Sequence, residues 1–241
     1  MKDAIVIIPT YNEIENIEAI IRAVYMQSND IHILIIDDNS PDSTANKVKE
    51  LQNDFPGKLF LISRNGKQGL GTAYIYGFKW CLARTYKYIF EMDADFSHDP
   101  RDLIKLYDAC ALDGADMSIG SRYVTGVNVV NWPMGRVLMS YLASKYVRII
   151  TGMKINDTTA GFVCYKRETL EALDLNKIKF IGYAFQIEMK FKTYLKKFKI
   201  IEVPVIFTDR TEGESKLSKG IISEAIFGVI SMKLRSIFKK Y

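Results

Sequence analysis

Ala4-Ile5-Val6-Ile7-Ile8 is an unbroken apolar run that stops at Pro9. A strand with one wet face would alternate polar and apolar side chains. A continuous run rich in Ile and Val belongs instead to a strand covered on both faces. Further mostly apolar segments, polar only at His32, Lys58, Lys87 and Glu91, read as strands at residues 31–36, 58–62 and 87–92. Helical periodicity fills the gaps. Ile17, Ile20, Ile21 and Val24 form one stripe, and Asn12 with Glu15 reads as a capping-box-like start to that helix. Residues 43–52 and 67–84 read as two further helices, the second with Gly69 and Gly71 near its start. Strand and helix alternating over short connections predict an α/β fold, a mainly parallel, Rossmann-like sheet with helices on both faces.

The second half is less regular. Residues 101–112, 134–150 and 185–197 read as helices, 116–120 and 161–165 as strands, and 200–207 as a strand interrupted by Pro204. A polar loop over 208–218 leads to an amphipathic helix over 219–238. No linker divides the chain, whose 241 residues suit one large α/β domain. The expected organisation is one α/β domain over 1–218 and a C-terminal helical segment over 219–241, either part of that domain or in contact with a membrane.

The net charge of +5 is concentrated at the end, in Lys233, Arg235, Lys239 and Lys240. That suits a phosphate-rich substrate or an anionic membrane surface, and no aromatic or helix-turn-helix signature points to nucleic acid. Cys81, Cys110 and Cys164 are too far apart for metal-ligand spacing and read as buried thiols of a reducing compartment. The opening run is too short for a signal sequence with its cleavage site. No apolar stretch reaches the roughly 18 residues that a membrane span needs. The nearest candidate, 221–238, is interrupted by Glu224, Lys233 and Arg235.

Ligands in open α/β sheets bind beyond the carboxyl ends of the strands. Here those ends carry Pro9-Thr10-Tyr11-Asn12-Glu13, Asp37-Asp38-Asn39-Ser40 and Asp93-Ala94-Asp95. Asp93 and Asp95 could bridge a hard divalent cation and a diphosphate, since Mg2+ takes one or two carboxylates and completes its shell with phosphate and water. Tyr11 could pack on a base, and Glu13 and Asp38 could accept bonds from base or ribose. Helix capping and turn formation explain the same polar residues one by one. The glycine-rich turn Arg64-Asn65-Gly66-Lys67-Gln68-Gly69-Leu70-Gly71 lacks P-loop spacing. It either presents Lys67 and backbone N–H groups to an anion or serves tight packing. Arg122, Arg136 and Arg210 lie beside glycine or turn residues, and a guanidinium fork suits phosphate.

The ordered set of motifs resembles family 2 glycosyltransferases of the GT-A fold, and among them the dolichyl- or polyprenyl-phosphate mannose synthases. It runs through the strand ends above, Lys67-Gln68-Gly69-Leu70-Gly71, Asp93-Ala94-Asp95-Phe96-Ser97-His98, Gly120-Ser121-Arg122-Tyr123, Asp157-Thr158-Thr159-Ala160-Gly161-Phe162 and Arg210-Thr211-Glu212-Gly213-Glu214-Ser215-Lys216-Leu217. The resemblance implies an inverting enzyme that moves a hexose, mannose from GDP-mannose in first place, to a polyprenyl monophosphate. The same fold using a UDP-sugar, and a catalytically silent nucleotide-sugar-binding protein, are the competing readings. It implies Mg2+ or Mn2+ on Asp93 and Asp95, with Ser97 as a third candidate ligand. Pro9, Tyr11, Glu13, Asp38, Lys67 and Gly69 are implied around the nucleotide sugar, and Arg122, Arg136, Arg210 and Lys216 near phosphates. It also implies a cytoplasmic protein peripheral at the cytoplasmic face of a membrane, and leaves room for a membrane-anchoring subunit.

Overall fold

The computed structural model describes residues 1–182, 184–209 and 219–238, the side chains of 219–226 excepted. Strands β1 (Ala4–Thr10), β2 (His32–Asp37), β3 (Leu59–Ser63) and β4 (Tyr88–Glu91) alternate with helices α1 (Ile17–Gln27), α2 (Thr44–Leu51) and α3 (Leu70–Leu82). They pair in parallel, β3 on β2, β2 on β1 and β1 on β4. The unbroken apolar run in β1 follows from a core on each side of the sheet. Ile5 and Ile7 enter one cluster with Phe78 of α3, while Ala4, Val6 and Ile8 enter the other with Ile17 and Ile21 of α1. Successive side chains of a strand point to opposite faces, so neither register tolerates a polar residue.

The start of α1 differs from the expected capping box. The helix begins at Ile17, and Asn12 has a left-handed φ of 59°. The Asn12 and Glu13 N–H groups are taken by Ser40 Oγ and Thr44 Oγ1 of the following unit, at 3.0 and 3.1 Å. The loop after β1 is thus tied sideways to the loop after β2 rather than folded into a cap.

Beyond β4 come α4 (Asp102–Ala111), β5 (Met117–Ser121), β6 (Val129–Val130), α5 (Met134–Thr151), β7 (Val163–Lys166), α6 (Arg167–Ala172), α7 (Ala184–Leu195), β8 (Ile200–Pro204), β9 (Phe207–Thr208) and α8 (Lys219–Phe238). The seven-stranded sheet has the order β3-β2-β1-β4-β7-β5-β8. β7 is antiparallel to both neighbours, which is why the sheet is mainly rather than wholly parallel. The single strand expected over 200–207 is two. Pro204 closes β8 at the sheet edge, and β9 leaves to pair with β6 in a separate two-stranded ribbon. Proline is compatible with such an edge because it has no N–H to donate.

Helix α8 packs on α5 and α7. Val229 and Met232 are buried in the core, each 1% exposed. Lys233 Nζ donates to the Thr151 carbonyl at 3.1 Å, a cation on a helix C-terminus. The opposite side of α8 is apolar too, and Phe227, Leu234, Ile237 and Phe238 are exposed. The three cysteines are free thiols, all buried.

Candidate active site

The ends of β1, β2 and β3 are cross-linked by side chains. Asp37 accepts from Thr10 Oγ1 at 3.0 Å and from the Ser40 N–H at 2.9 Å, so its turn role is real. Asp38 faces elsewhere. Arg64 Nε and Nη2 grip its two oxygens at 2.5 and 2.7 Å, while Arg64 Nη1 donates to Thr72 Oγ1 at 2.7 Å. The sequence reading left Arg64 without a role. Sheet register carried the signal, because Asp37 pairs with Ser63 and the next residue of each strand is therefore adjacent. Lys67 Nζ lies 4.9 Å from the centre of the Tyr11 ring, and Pro9 and Glu13 flank Tyr11 on the same β1 edge.

The glycine-rich turn resolves in favour of packing at Gly71. A Cβ there would come within 2.8 Å of the Phe185 ring, and the Gly71 N–H is spent on the Ile181 carbonyl at 2.8 Å. Gly69 has a φ of 98°, which a side chain rarely adopts.

The acidic turn follows β4 directly. Asp95 Oδ1 accepts the Ser97 N–H at 3.1 Å, and the Asp93 N–H donates to His98 Nδ1 at 3.1 Å. Burial holds the His98 imidazole below its ordinary value. It is therefore neutral near pH 7, with Nδ1 as acceptor and the ring proton on Nε2. The 4.0 Å approach of His98 to the Asp93 carboxylate is then not an ion pair, and His98 acts as a brace for the turn. Ser97 Oγ is buried without a hydrogen-bond partner. No cluster of three or more His, Cys, Asp or Glu occurs among the described residues. Two carboxylates and an unspent hydroxyl fit a hard cation that draws its remaining ligands from phosphate and water.

The arginines differ from one another. Arg122 is 7% exposed, and its Nε and Nη2 bind Asp157 at 2.7 and 2.6 Å, with Nη2 also on Thr159 Oγ1 at 2.9 Å. Burial alone would push the Asp157 carboxyl up, and the adjacent guanidinium outweighs it and holds the group below its ordinary value. The Nε and Nη2 donors of the guanidinium are therefore turned to a carboxylate of the same chain. Arg136 is more open. Its Nη1 binds Asp209 at 2.6 Å, and its guanidinium carbon sits 4.1 Å from the centre of the Trp132 ring. Arg210 and Lys216 lie outside the described residues.

One aromatic wall joins these groups. His98 stacks on Phe162 at 4.9 Å and meets the edge of Phe207 at 5.5 Å. Phe207 packs on Trp132 at 5.2 Å and lies 5.4 Å from the Arg122 guanidinium carbon. The acidic turn of β4 and the arginines of the second half thus share one neighbourhood. The β6–β9 ribbon, absent from the sequence reading, supplies Phe207.

This sheet order is that of the GT-A type of fold. The Glycosyl transferase family 2 profile matches residues 5–174. A polyprenol monophosphomannose synthase of Mycolicibacterium smegmatis is 45% identical over 96% of this chain and 87% of its own length. An undecaprenyl-phosphate mannosyltransferase of Micrococcus luteus is 43% identical over 92% of this chain and 90% of its own. The chain belongs to glycosyl transferase family 2. Among solved structures, a mannosyltransferase of Pyrobaculum calidifontis in complex with GDP-Man and Mn2+ superposes with a TM-score of 0.63 at 19% identity, covering 99% of this chain and 65% of the other. Glucosyl-3-phosphoglycerate synthase of Mycobacterium tuberculosis with Mn2+ and UDP-glucose gives 0.68 at 16% identity, covering 97% and 78%. At those identities the two structures share the fold.

Proposed function

We propose that the protein transfers mannose from GDP-mannose to a polyprenyl monophosphate with inversion of configuration. The observation that carries this reading is the contact path from Asp93 through His98 and Phe207 to Arg122, Trp132 and Arg136. It sets a cation-competent carboxylate pair beside a cationic, aromatic-walled region, as the meeting of two phosphate-bearing substrates requires. The mannosyltransferase names of the relatives support the sugar and the acceptor class.

Asp93 and Asp95, with Ser97 Oγ, hold Mg2+ or Mn2+. Bound there, the cation supplies Lewis-acid neutralisation of the departing nucleoside diphosphate. Tyr11, Pro9, Glu13 and the Asp38–Arg64 pair frame the nucleotide, with Lys67 and Gly69 at its phosphate side. An oxygen of the acceptor phosphate attacks the anomeric carbon, and the bond from that carbon to the β-phosphate oxygen breaks with its electron pair leaving on GDP. The acceptor is an anion at neutral pH, so positioning and charge stabilisation matter more than a strong base. Arg136, with Arg210 and Lys216, steadies the acceptor phosphate. Arg122 acts one step removed, by fixing the Asp157 segment beneath the wall.

Apolar surface on two neighbouring helices supports peripheral membrane contact, which we place at the cytoplasmic face as part of the proposal. Met134, Leu138, Leu142 and Ile149 are exposed along α5, and Phe227, Leu234 and Ile237 along α8, which packs beside it. No described helix is long and apolar enough to cross a membrane. An apolar ridge of this kind suits the interfacial plane of a bilayer, where the lipid acceptor resides.

The test is incubation with labelled GDP-mannose, UDP-glucose or UDP-N-acetylglucosamine, each with a polyprenyl phosphate and Mg2+ or Mn2+. Label from GDP-mannose alone should enter the organic phase, and only with cation present. Label from a UDP-sugar instead would replace the donor, and no transfer from any donor would overturn the proposal.

A further inference from the structure

A polar connection crosses the hydrophobic core behind the site. Glu91, Gln186 and Lys190 are 0%, 4% and 0% exposed. Gln186 Nε2 donates to Glu91 Oε2 at 2.6 Å. Lys190 Nζ donates to the Ala160 carbonyl at 2.6 Å and lies 3.3 Å from Gln186 Oε1. Tyr74, Phe185, Met189 and Tyr165 are all buried and share this side of the sheet with it. Burial pushes the Glu91 carboxyl up and the Lys190 ammonium down. Well-packed apolar side chains of similar volume often match or exceed the stability of such a buried polar set. Packing alone therefore gives no reason for a buried amine and a buried carboxylate here.

The two ends of the connection give a reason. Glu91 is the last residue of β4, and the chain runs from it directly into Asp93 and Asp95. Ala160 follows Thr159, which with Asp157 holds Arg122. Gln186 and Lys190 sit one turn apart on the rigid helix α7, which reaches both ends. We infer that Gln186 and Lys190 are positioning residues that fix the acidic turn against the Asp157–Ala160 segment. The inference rests on the reading of Asp93 and Asp95 as cation ligands. With the connection intact the turn is ordered before any cation arrives. With it cut, binding must also order the turn, so affinity falls although no ligand has changed.

The experiment uses Gln186→Met and Lys190→Met in the full chain, with Glu91→Gln as the conservative variant, since an amide still offers Gln186 an acceptor. Two readouts are independent of turnover. One is hydrogen exchange of the amides of residues 92–98 and 157–161 in metal-free protein. The other is calorimetric titration of Mn2+ in the presence of GDP. The expected result is faster exchange in both segments for Lys190→Met, and in 92–98 for Gln186→Met. Mn2+ affinity should be about 10-fold weaker in each, the scale seen when groups behind metal ligands are removed. Glu91→Gln should retain most of the wild-type affinity. Wild-type exchange and Mn2+ affinity in both Met variants, even with a lower melting midpoint, would make the connection merely structural and overturn the inference. If the wild type binds no Mn2+ with GDP or with UDP, the cation reading fails, and exchange at 92–98 still decides the positioning claim. If one Met variant does not fold, the other and Glu91→Gln give the same two readouts.

Discussion

From β1 to β4 the strands run parallel and their interiors are apolar, with polar groups gathered where the strands end. From β5 onward the architecture is mixed. β7 runs antiparallel, a two-stranded ribbon leaves the main sheet, and Arg122, Asp157 and Lys190 are buried. The first region places its functional groups by periodicity, since a strand of given length must deliver its last residue to the sheet edge. The second places them by partner choice among buried charges. That difference predicts opposite responses to substitution, with stability dominating in the second region and turnover in the first.

The largest effect belongs to the buried pair. Asp157→Asn leaves the Arg122 guanidinium buried without its counter-charge, and breaking such a pair costs about 3–5 kcal/mol. Urea denaturation at pH 7 measures it. The sign with pH follows from the lowered Asp157 group. Its contribution is fully present above the unfolded value of about 3.9 and is lost as pH falls through the lower folded value. The gap in stability between wild type and Asp157→Asn should therefore close only below about pH 4. A gap that closes nearer neutrality would assign the effect to another group.

Asp93→Ala and Asp95→Ala should show the reverse pattern, with turnover reduced at least ~100-fold and the melting midpoint nearly unchanged. Both side chains are partly exposed in the turn that follows β4, and neither belongs to the apolar core. Full activity of both variants in excess chelator would remove the cation from the mechanism.

How much could be read in advance follows the same division. Residues 4–8, 31–36 and 87–92 announced buried strands because the first is wholly apolar and the other two are polar only at His32, Lys87 and Glu91, and the acidic pair was found by its place after one of them. Arg64 went unassigned because its partner, Asp38, is 26 residues away and only sheet register brings them together. The pairing of Arg122 with Asp157 went unread because nothing local in the sequence couples it to a residue 35 positions on. The β6–β9 ribbon is two residues long on each side, too short for any periodicity. Helix α8 was read as either core or surface, and it is both, one side carrying Val229 and Met232 inward and the other carrying Phe227 and Leu234 outward.

A pair of glycines sharpens the contrast at smaller cost. Gly71→Ala drives a Cβ to 2.8 Å from the Phe185 ring and 2.9 Å from the Phe180 carbonyl. Overpacking of that kind costs about 1–3 kcal/mol. Gly135, in the first turn of α5, has nothing within 4 Å of its would-be Cβ, and Gly135→Ala should stabilise by about 0.5–1 kcal/mol. Thermal denaturation of the two variants tests both signs. Equal effects would mean that the contact between α3 and the 180–185 segment yields more readily than its geometry indicates.

The smallest expected effects lie on the ridge of α5 and α8, and they test whether the second region's exposed apolar surface meets lipid. Cutting the chain after Gly228 would also remove Val229 and Met232 from the core, so truncation mixes folding with binding. Substitutions confined to the outer face keep them apart. Leu142→Ser and Leu234→Ser, about half exposed at 51% each, should weaken flotation with anionic and neutral liposomes alike while leaving the melting midpoint in place. Lys145 is exposed on α5, and Arg235 lies in the last turn of α8. Lys145→Gln and Arg235→Gln should weaken only the anionic case, by about 1 kcal/mol each, and added salt should erase the difference. Lys233 is the internal control, because its ammonium already caps α5 at Thr151. Lys233→Gln should lower stability slightly and leave the preference for anionic vesicles unchanged. Loss of that preference with Lys233→Gln, and not with Lys145→Gln or Arg235→Gln, would move the lipid contact off this ridge and onto the junction of the two helices.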